Sequence, residues 1–250
     1  MAMKYLKLLS EKRVFNYEYV FKITGSRFLA DRTIQSYLKK NYIKRVKKNL
    51  YVTMSLENDG VIPSKYEIAS AITKSSYVSH HSAFEYYGYS NQVYTEVTVS
   101  SLERFSDFVF EQNEFVYKRS TSNNFVESTS REKVSSLAMT IVDCIDDIKT
   151  YDDLEEVRSN LMSIPAIKTE EILNYLKHID KKILFNKVGL LLSFFKDDFM
   201  IEEDFFKKLK KFGITGVKYY TKEKNRLTKY YKEWNLYCYN VNSIILGEAK

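Results

Sequence analysis

Tyr42-Ile-Lys-Arg-Val-Lys-Lys-Asn-Leu-Tyr-Val52 is the stretch that decides the reading of this chain. Its apolar positions are Ile43, Val46, Leu50 and Val52, and Lys44, Arg45, Lys47 and Lys48 crowd around Asn49. Asparagine tolerates the left-handed conformation that a tight turn requires. The pattern predicts a basic β-hairpin turning at Asn49. Upstream, Ile34, Tyr37 and Leu38 have the i, i+3, i+4 spacing of a buried helix face. The opposite face then carries Asp31, Arg32, Gln35, Ser36 and Lys39. This helix ends before Asn41 and opens at Ser26, Ala30 or Asp31. A second helix is predicted over 17–24, capped by Asn16 and ended by Gly25. A first spans 3–10 with Leu6 and Leu9 inward. Three short helices followed by a basic hairpin is the order of a winged helix-turn-helix, which sets its third helix in the major groove and its hairpin along the backbone. Arg32 and Gln35, with Ser36 beside them, suit base edges. Lys39, Lys44, Arg45, Lys47 and Lys48 suit phosphates.

The charge distribution agrees. The net charge is +7 over 250 residues, yet residues 1–55 hold 13 Lys and Arg against 3 Asp and Glu. Residues 56–165 are net acidic, and 166–250 are basic again. A short segment at +10 is an electrostatic footprint for a polyanion. The many lysines, tyrosines and phenylalanines also fit an AT-rich coding sequence. The two cysteines, Cys144 and Cys238, make neither a disulfide framework nor a zinc site and read as buried thiols in a reducing compartment. The N-terminus lacks a signal-peptide apolar core, and no apolar run approaches the roughly 20 residues of a membrane span. A cytoplasmic protein with no membrane partner is expected.

Ile62-Pro63 marks the expected boundary between a 1–55 domain and a larger 62–250 domain. Beyond it, helices are predicted over 65–73 and after Ser82, where Ser82-Ala-Phe-Glu85 fits a capping box closed by Gly88. A strand is predicted over 93–101, with weaker strands near Phe108 and Val116. Helices then follow over 130–147, 151–164, 169–179, 182–195 and 202–212. The fold class is α+β: a winged helix-turn-helix, then a larger mixed, mainly helical domain.

Tyr77-Val-Ser-His-His-Ser-Ala-Phe-Glu-Tyr-Tyr-Gly-Tyr89, shortly before Val97-Thr-Val99, resembles a sequence block of AbiEi-type antitoxins. Met139-Thr-Ile-Val-Asp-Cys144, after a basic residue (Arg131 or Lys133), resembles a second block of that family. The hairpin from Ile43 to Val52 resembles its wing, with Asn49 where the family has glycine. The stretch 26–29 departs from the family by blurring the start of the third helix. The resemblance covers residues 1–165 by motif. It implies an antitoxin that represses its own operon by binding inverted repeats in promoter DNA, with a nucleotidyltransferase-like toxin as functional partner. It places antitoxicity in the C-terminal region and does not imply a stable toxin complex.

Other chemistry finds little footing. Adjacent His80 and His81 point apart and rarely share a metal. Asp143, Asp146 and Asp147 share a helix face, as a Mg²⁺ nuclease would want, but also read as a solvated helix end. No nucleotide-binding, zinc or nucleophile motif occurs. No cofactor, metal or enzymatic activity is expected. The alternatives are a nuclease guided by the winged helix and a winged helix that docks protein. Two readings remain for the basic, Tyr-rich stretch 207–232. Lys207, Lys208, Lys210, Lys211, Lys218, Lys222 and Arg226 form either a second nucleic-acid surface or a solvated basic helix with tyrosines inward.

Overall fold

The computed structural model describes residues 4–57, 60–221 and 228–240. The protein is a mixture of α and β structure in two compact units. The first draws on Met1–Ser82 and Tyr94–Val134, the second on Ala83–Val93 and Ser135–Lys250.

The first unit opens with α1 (Leu6–Lys12), β1 (Val14–Phe15), α2 (Tyr17–Thr24), α3 (Arg27–Lys39), β2 (Ile43–Lys47) and β3 (Leu50–Thr53). Asn16 caps α2 by accepting the Tyr19 N–H at 3.0 Å. Gly25 ends the helix at φ +72°, a conformation glycine adopts without cost. The third helix starts at Ser26, earliest of the three expected positions. Leu6, Leu9, Phe15, Val20, Ala30, Ile34, Tyr37, Ile43 and Tyr51 form one core. β2 and β3 pair antiparallel with a bulge between Arg45 and Lys47, and Asn49 turns the hairpin at φ +63°. β1 adds a third strand through Val14 and Phe15, opposite Val52 and Tyr51. That strand was not expected, because two residues show no periodicity.

The chain continues with α4 (Lys65–Ala71), β4 (Tyr77–Val78), α5 (His80–Tyr86), β5 (Glu96–Ser101), β6 (Phe108–Phe110), β7 (Asn113–Arg119), β8 (Val126–Ser128) and β9 (Lys133–Ser135), with α5 from Ala83 onward and the end of β9 counted in the second unit. Its six-stranded sheet has the order β6-β7-β5-β4-β9-β8. Three expectations are corrected here. Ser82 does not cap a helix: it lies within α5, and its hydroxyl accepts the Thr98 N–H at 2.9 Å, tying the helix to β5. Val93 is 89% exposed and precedes the strand, which starts at Glu96. Residues 130–136 are not helical. Val134 instead pairs with Val78 of β4, and Ser136 caps the next helix by accepting the Met139 N–H.

The expected boundary between 55 and 62 falls inside the first unit rather than between units. Met54 bridges to Val61, and the Ile62 N–H donates to the Thr53 carbonyl at 3.1 Å. Arg13 donates to the Ile62 carbonyl at 2.5 Å and pairs with buried Glu67 of α4 at 3.2 Å. A buried carboxylate is strongly destabilising once its cation is removed.

The second unit holds α6 (Leu137–Asp147), α7 (Tyr151–Met162), α8 (Thr169–Ile179), α9 (Lys182–Ser193) and α10 (Glu203–Phe212). Thr150 and Asp153 form a capping box at the start of α7. The chain then forms β10 (Lys218–Tyr219), β11 (Thr228–Tyr231), a 3-10 turn over Lys232–Trp234 and β12 (Leu236–Tyr239), paired in the order β10-β12-β11. This terminal sheet was not expected, since the mainly helical reading named no strand after residue 130. Trp234 packs so closely on Gly189 of α9 that a Cβ there would lie 2.1 Å from the ring. The Asn186 side chain binds the backbone of Ile214 and Trp234. Among the described residues, no helix is long and apolar enough to cross a membrane.

Candidate nucleic-acid interface

The surface of α3 follows from its buried side. Ala30, Ile34 and Tyr37 face the core. At 100° per residue, Arg32, Gln35 and Lys39 fall opposite that stripe. All three are exposed, and Ser36 beside them is half-buried. The sequence-predicted face of the third helix is thus assembled as one stripe.

The hairpin is less uniform. Lys44, Arg45 and Lys48 are exposed and Lys47 is half-buried. Arg45 lies over the Tyr51 ring at 5.5 Å, on its own hairpin. Lys44 is ion-paired with Glu111, in the turn between β6 and β7, and its ammonium sits 5.8 Å from the Phe110 ring. The Lys47 ammonium lies between the Phe105 and Phe108 rings, 4.9 and 4.7 Å from their centroids. Burial there lowers its pKa. Lys44 and Lys47, two of the four hairpin cations, are therefore engaged by side chains from the β6 region of their own unit. Glu111, Phe105 and Phe108 were missed by sequence reasoning, since they lie more than 50 residues downstream and carry no local signal. Asn49 has a second role that was also missed: its side-chain oxygen accepts the Tyr17 N–H at 2.9 Å, holding the hairpin turn to the start of α2.

The predicted second basic surface divides. Lys207 and Lys211 of α10 are exposed. Lys208 binds Glu170 at 3.1 Å and Asp204 at 2.9 Å, and Lys210 pairs with Glu233 beneath its contact with Trp234. Lys218 lies exposed on β10, while Lys222 and Arg226 are outside the described residues. Among the described residues the stretch is helical only to Phe212 and then contributes β10 and β11, which corrects the single-helix reading. Tyr219, Tyr237 and Tyr230 pair across the three strands, with ring centroids 5.0 and 4.9 Å apart. Their faces are turned toward one another, the arrangement of a cross-strand ladder that stabilises a sheet.

The acidic end of α6 is not a solvated cluster. Asp143 accepts the Tyr175 hydroxyl at 2.7 Å, and burial pushes its carboxyl up to about 7. Asp146 binds Lys181 at 2.7 Å and buried Lys187 at 3.4 Å, and Asp147 pairs with Lys149. His80 faces the Ser79 hydroxyl, while His81 lies against the Tyr94 ring. No group of three or more His, Cys, Asp or Glu is placed to hold a metal among the described residues. Cys144 and Cys238 are buried, and burial raises the Cys238 thiol to about 12.

No family model and no curated protein matches this chain. Among solved structures, the crystal structure of the RV2827C protein from Mycobacterium tuberculosis is similar. Its TM-score is 0.65 at 12% identity, covering 100% of this chain and 94% of that one. At that identity the likeness is one of fold.

Proposed function

We propose that this protein is a DNA-binding repressor whose N-terminal assembly, α1 through β3, works as a winged helix-turn-helix. It represses its own operon at promoter inverted repeats and serves as the antitoxin to a nucleotidyltransferase-like toxin. The observation that carries the DNA reading is the exposed stripe of Arg32, Gln35 and Lys39, opposite a fully buried stripe, in a segment with a ten-charge excess of bases. α3 reads base edges through Arg32 and Gln35. Lys39, Arg45 and Lys48 hold phosphates, with Lys47 beside them and Lys44 held back from the same side by Glu111. Repression follows from occupancy of the promoter and needs no cofactor. The antitoxin role rests on the resemblance of 77–89 and 139–144 to AbiEi-type antitoxins and is cytoplasmic in that reading.

The test has two arms in one cell. A reporter driven by the DNA upstream of the protein's own gene is measured with the parent chain and with Arg32→Ala/Gln35→Ala. The nucleotidyltransferase-like toxin that this reading places in the same operon is induced in the same strains, and growth is followed. Repression lost in the double variant with protection retained supports both roles. A reporter indifferent to the parent chain removes the repressor reading, and growth arrest despite full expression removes the antitoxin reading.

A further inference from the structure

Phe28 lies in the first turn of α3 and is 69% exposed, more than any other aromatic side chain among the described residues. It stands four residues before Arg32, seven before Gln35 and eleven before Lys39, so it heads their stripe and lies opposite the core-facing Ala30, Ile34 and Tyr37. The core makes no use of this ring. A phenylalanine so placed contributes little to folding, because its apolar surface is mostly left in water.

We propose that Phe28 is a specificity-determining residue that packs against a thymine methyl group in the major groove, an inference that rests on the DNA reading above. A ring without donors or acceptors cannot read the hydrogen-bonding edges of bases. The apolar group that the major groove offers is the 5-methyl of thymine, which phenylalanine can contact. The N-terminal residues of a recognition helix are those that approach base edges, and Phe28 is in that turn. A second copy of this chain is a poorer occupant, because docking on Phe28 would bring the Arg32 and Lys39 cations of two chains together. The expected site therefore carries a thymine next to the bases read by Arg32 and Gln35.

The experiment uses the full chain and a random-sequence duplex library. Enriched sites are remade with each thymine replaced singly by deoxyuridine, which deletes only the methyl. Binding of the parent and of Phe28→Ala is measured by anisotropy, with circular dichroism confirming that the variant is folded. One thymine is expected at which deoxyuridine weakens the parent about fourfold, the effect of one lost methyl contact. The same change should leave Phe28→Ala unaffected. Selected sites with no methyl-sensitive thymine overturn the inference and leave the DNA reading intact. So does a variant that keeps the parent's sensitivity. A library from which nothing is enriched overturns the DNA reading itself, and the inference with it. Loss of self-association in Phe28→Ala, with unchanged DNA binding, identifies the ring as a protein contact and overturns the inference.

Discussion

Replacing Glu111 with asparagine should tighten DNA binding and steepen its salt dependence. The residue holds Lys44 in an ion pair and occupies a turn at φ +53°. Asparagine removes the charge while tolerating that conformation, so the β6–β7 turn is preserved. An exposed pair of this kind is worth about 0–1 kcal/mol, so losing it leaves stability nearly unchanged. The effect on DNA is larger. Apart from Lys44, the exposed cations assigned to phosphates on the α3 stripe and hairpin are Lys39, Arg45 and Lys48. At about −0.9 per neutralised phosphate, three contacts give a slope of about −2.7 in log K against log salt. Affinity then falls roughly 40-fold between 50 and 200 mM salt. With Lys44 released, four contacts give a slope of about −3.6 and a fall of roughly 150-fold over the same range. At low salt the variant binds several-fold tighter, because a carboxylate has also left the phosphate side. The assay is fluorescence anisotropy on a labelled mixed-sequence duplex across that salt range, with thermal melts of both proteins. Equal slopes for the parent and Glu111→Asn would refute the assignment of Lys44 to the DNA side. A flat salt response in both would refute the charge argument as a whole.

Readout and anchoring should separate by mutation. Arg32→Ala and Gln35→Ala cost about 1–3 kcal/mol on a selected site and relax base preference, while Lys48→Ala weakens selected and scrambled duplexes alike; competition binding with both duplexes distinguishes them. Gly189→Ala should lower the melting temperature. Helix propensity favours alanine by about 1 kcal/mol, but the new Cβ collides with the Trp234 ring, and overpacking costs about 1–3 kcal/mol or more. Trp234 is the chain's single tryptophan and is 2% exposed, so a red-shifted emission reports its displacement; a stabilised variant with unchanged emission would contradict the packing described. The Asp143 carboxyl is raised to about 7 in the folded chain, so the folded state retains a proton that the unfolded chain has lost above its ordinary pKa. Stability contributed by this group is present at acid pH and declines as pH rises through the range up to about 7. Asp143→Asn keeps an acceptor for Tyr175 without the charge, so its melting-temperature advantage over the parent should widen from pH 4 to pH 8; a constant difference would show that Asp143 does not titrate in that range.

Local devices were legible in the sequence. Asn16, Gly25 and the turn at Asn49 depend on residues close by in the chain, and the 3.6-residue period of Ile34 and Tyr37 puts Arg32, Gln35 and Lys39 on the outside. The rest is long-range. The Lys44–Glu111 pair spans 67 residues, and nothing in the hairpin indicates it. Ser82 matches a cap by spacing, yet a strand 16 residues on offers its hydroxyl a better partner. Val134 has an apolar neighbour at helical spacing, but its pairing with Val78 of β4 makes it a strand residue. The tyrosines of 219–239 alternate weakly and only their register across three strands reveals a sheet.

Arg13 has φ +64°, its carbonyl accepts the Thr53 N–H, and its guanidinium reaches Ile62 and Glu67. One residue thus joins the end of α1, the end of the hairpin and the start of α4. The N-terminal segment is consequently not a portable cassette. Grafted onto another scaffold as residues 1–55, it would lose both partners of the guanidinium, and the donor scaffold would be left with a buried, unneutralised Glu67. In the proposed DNA reading, a new operator preference is then expected from exchanging side chains along the outer stripe of α3, not from transplanting the whole N-terminal segment.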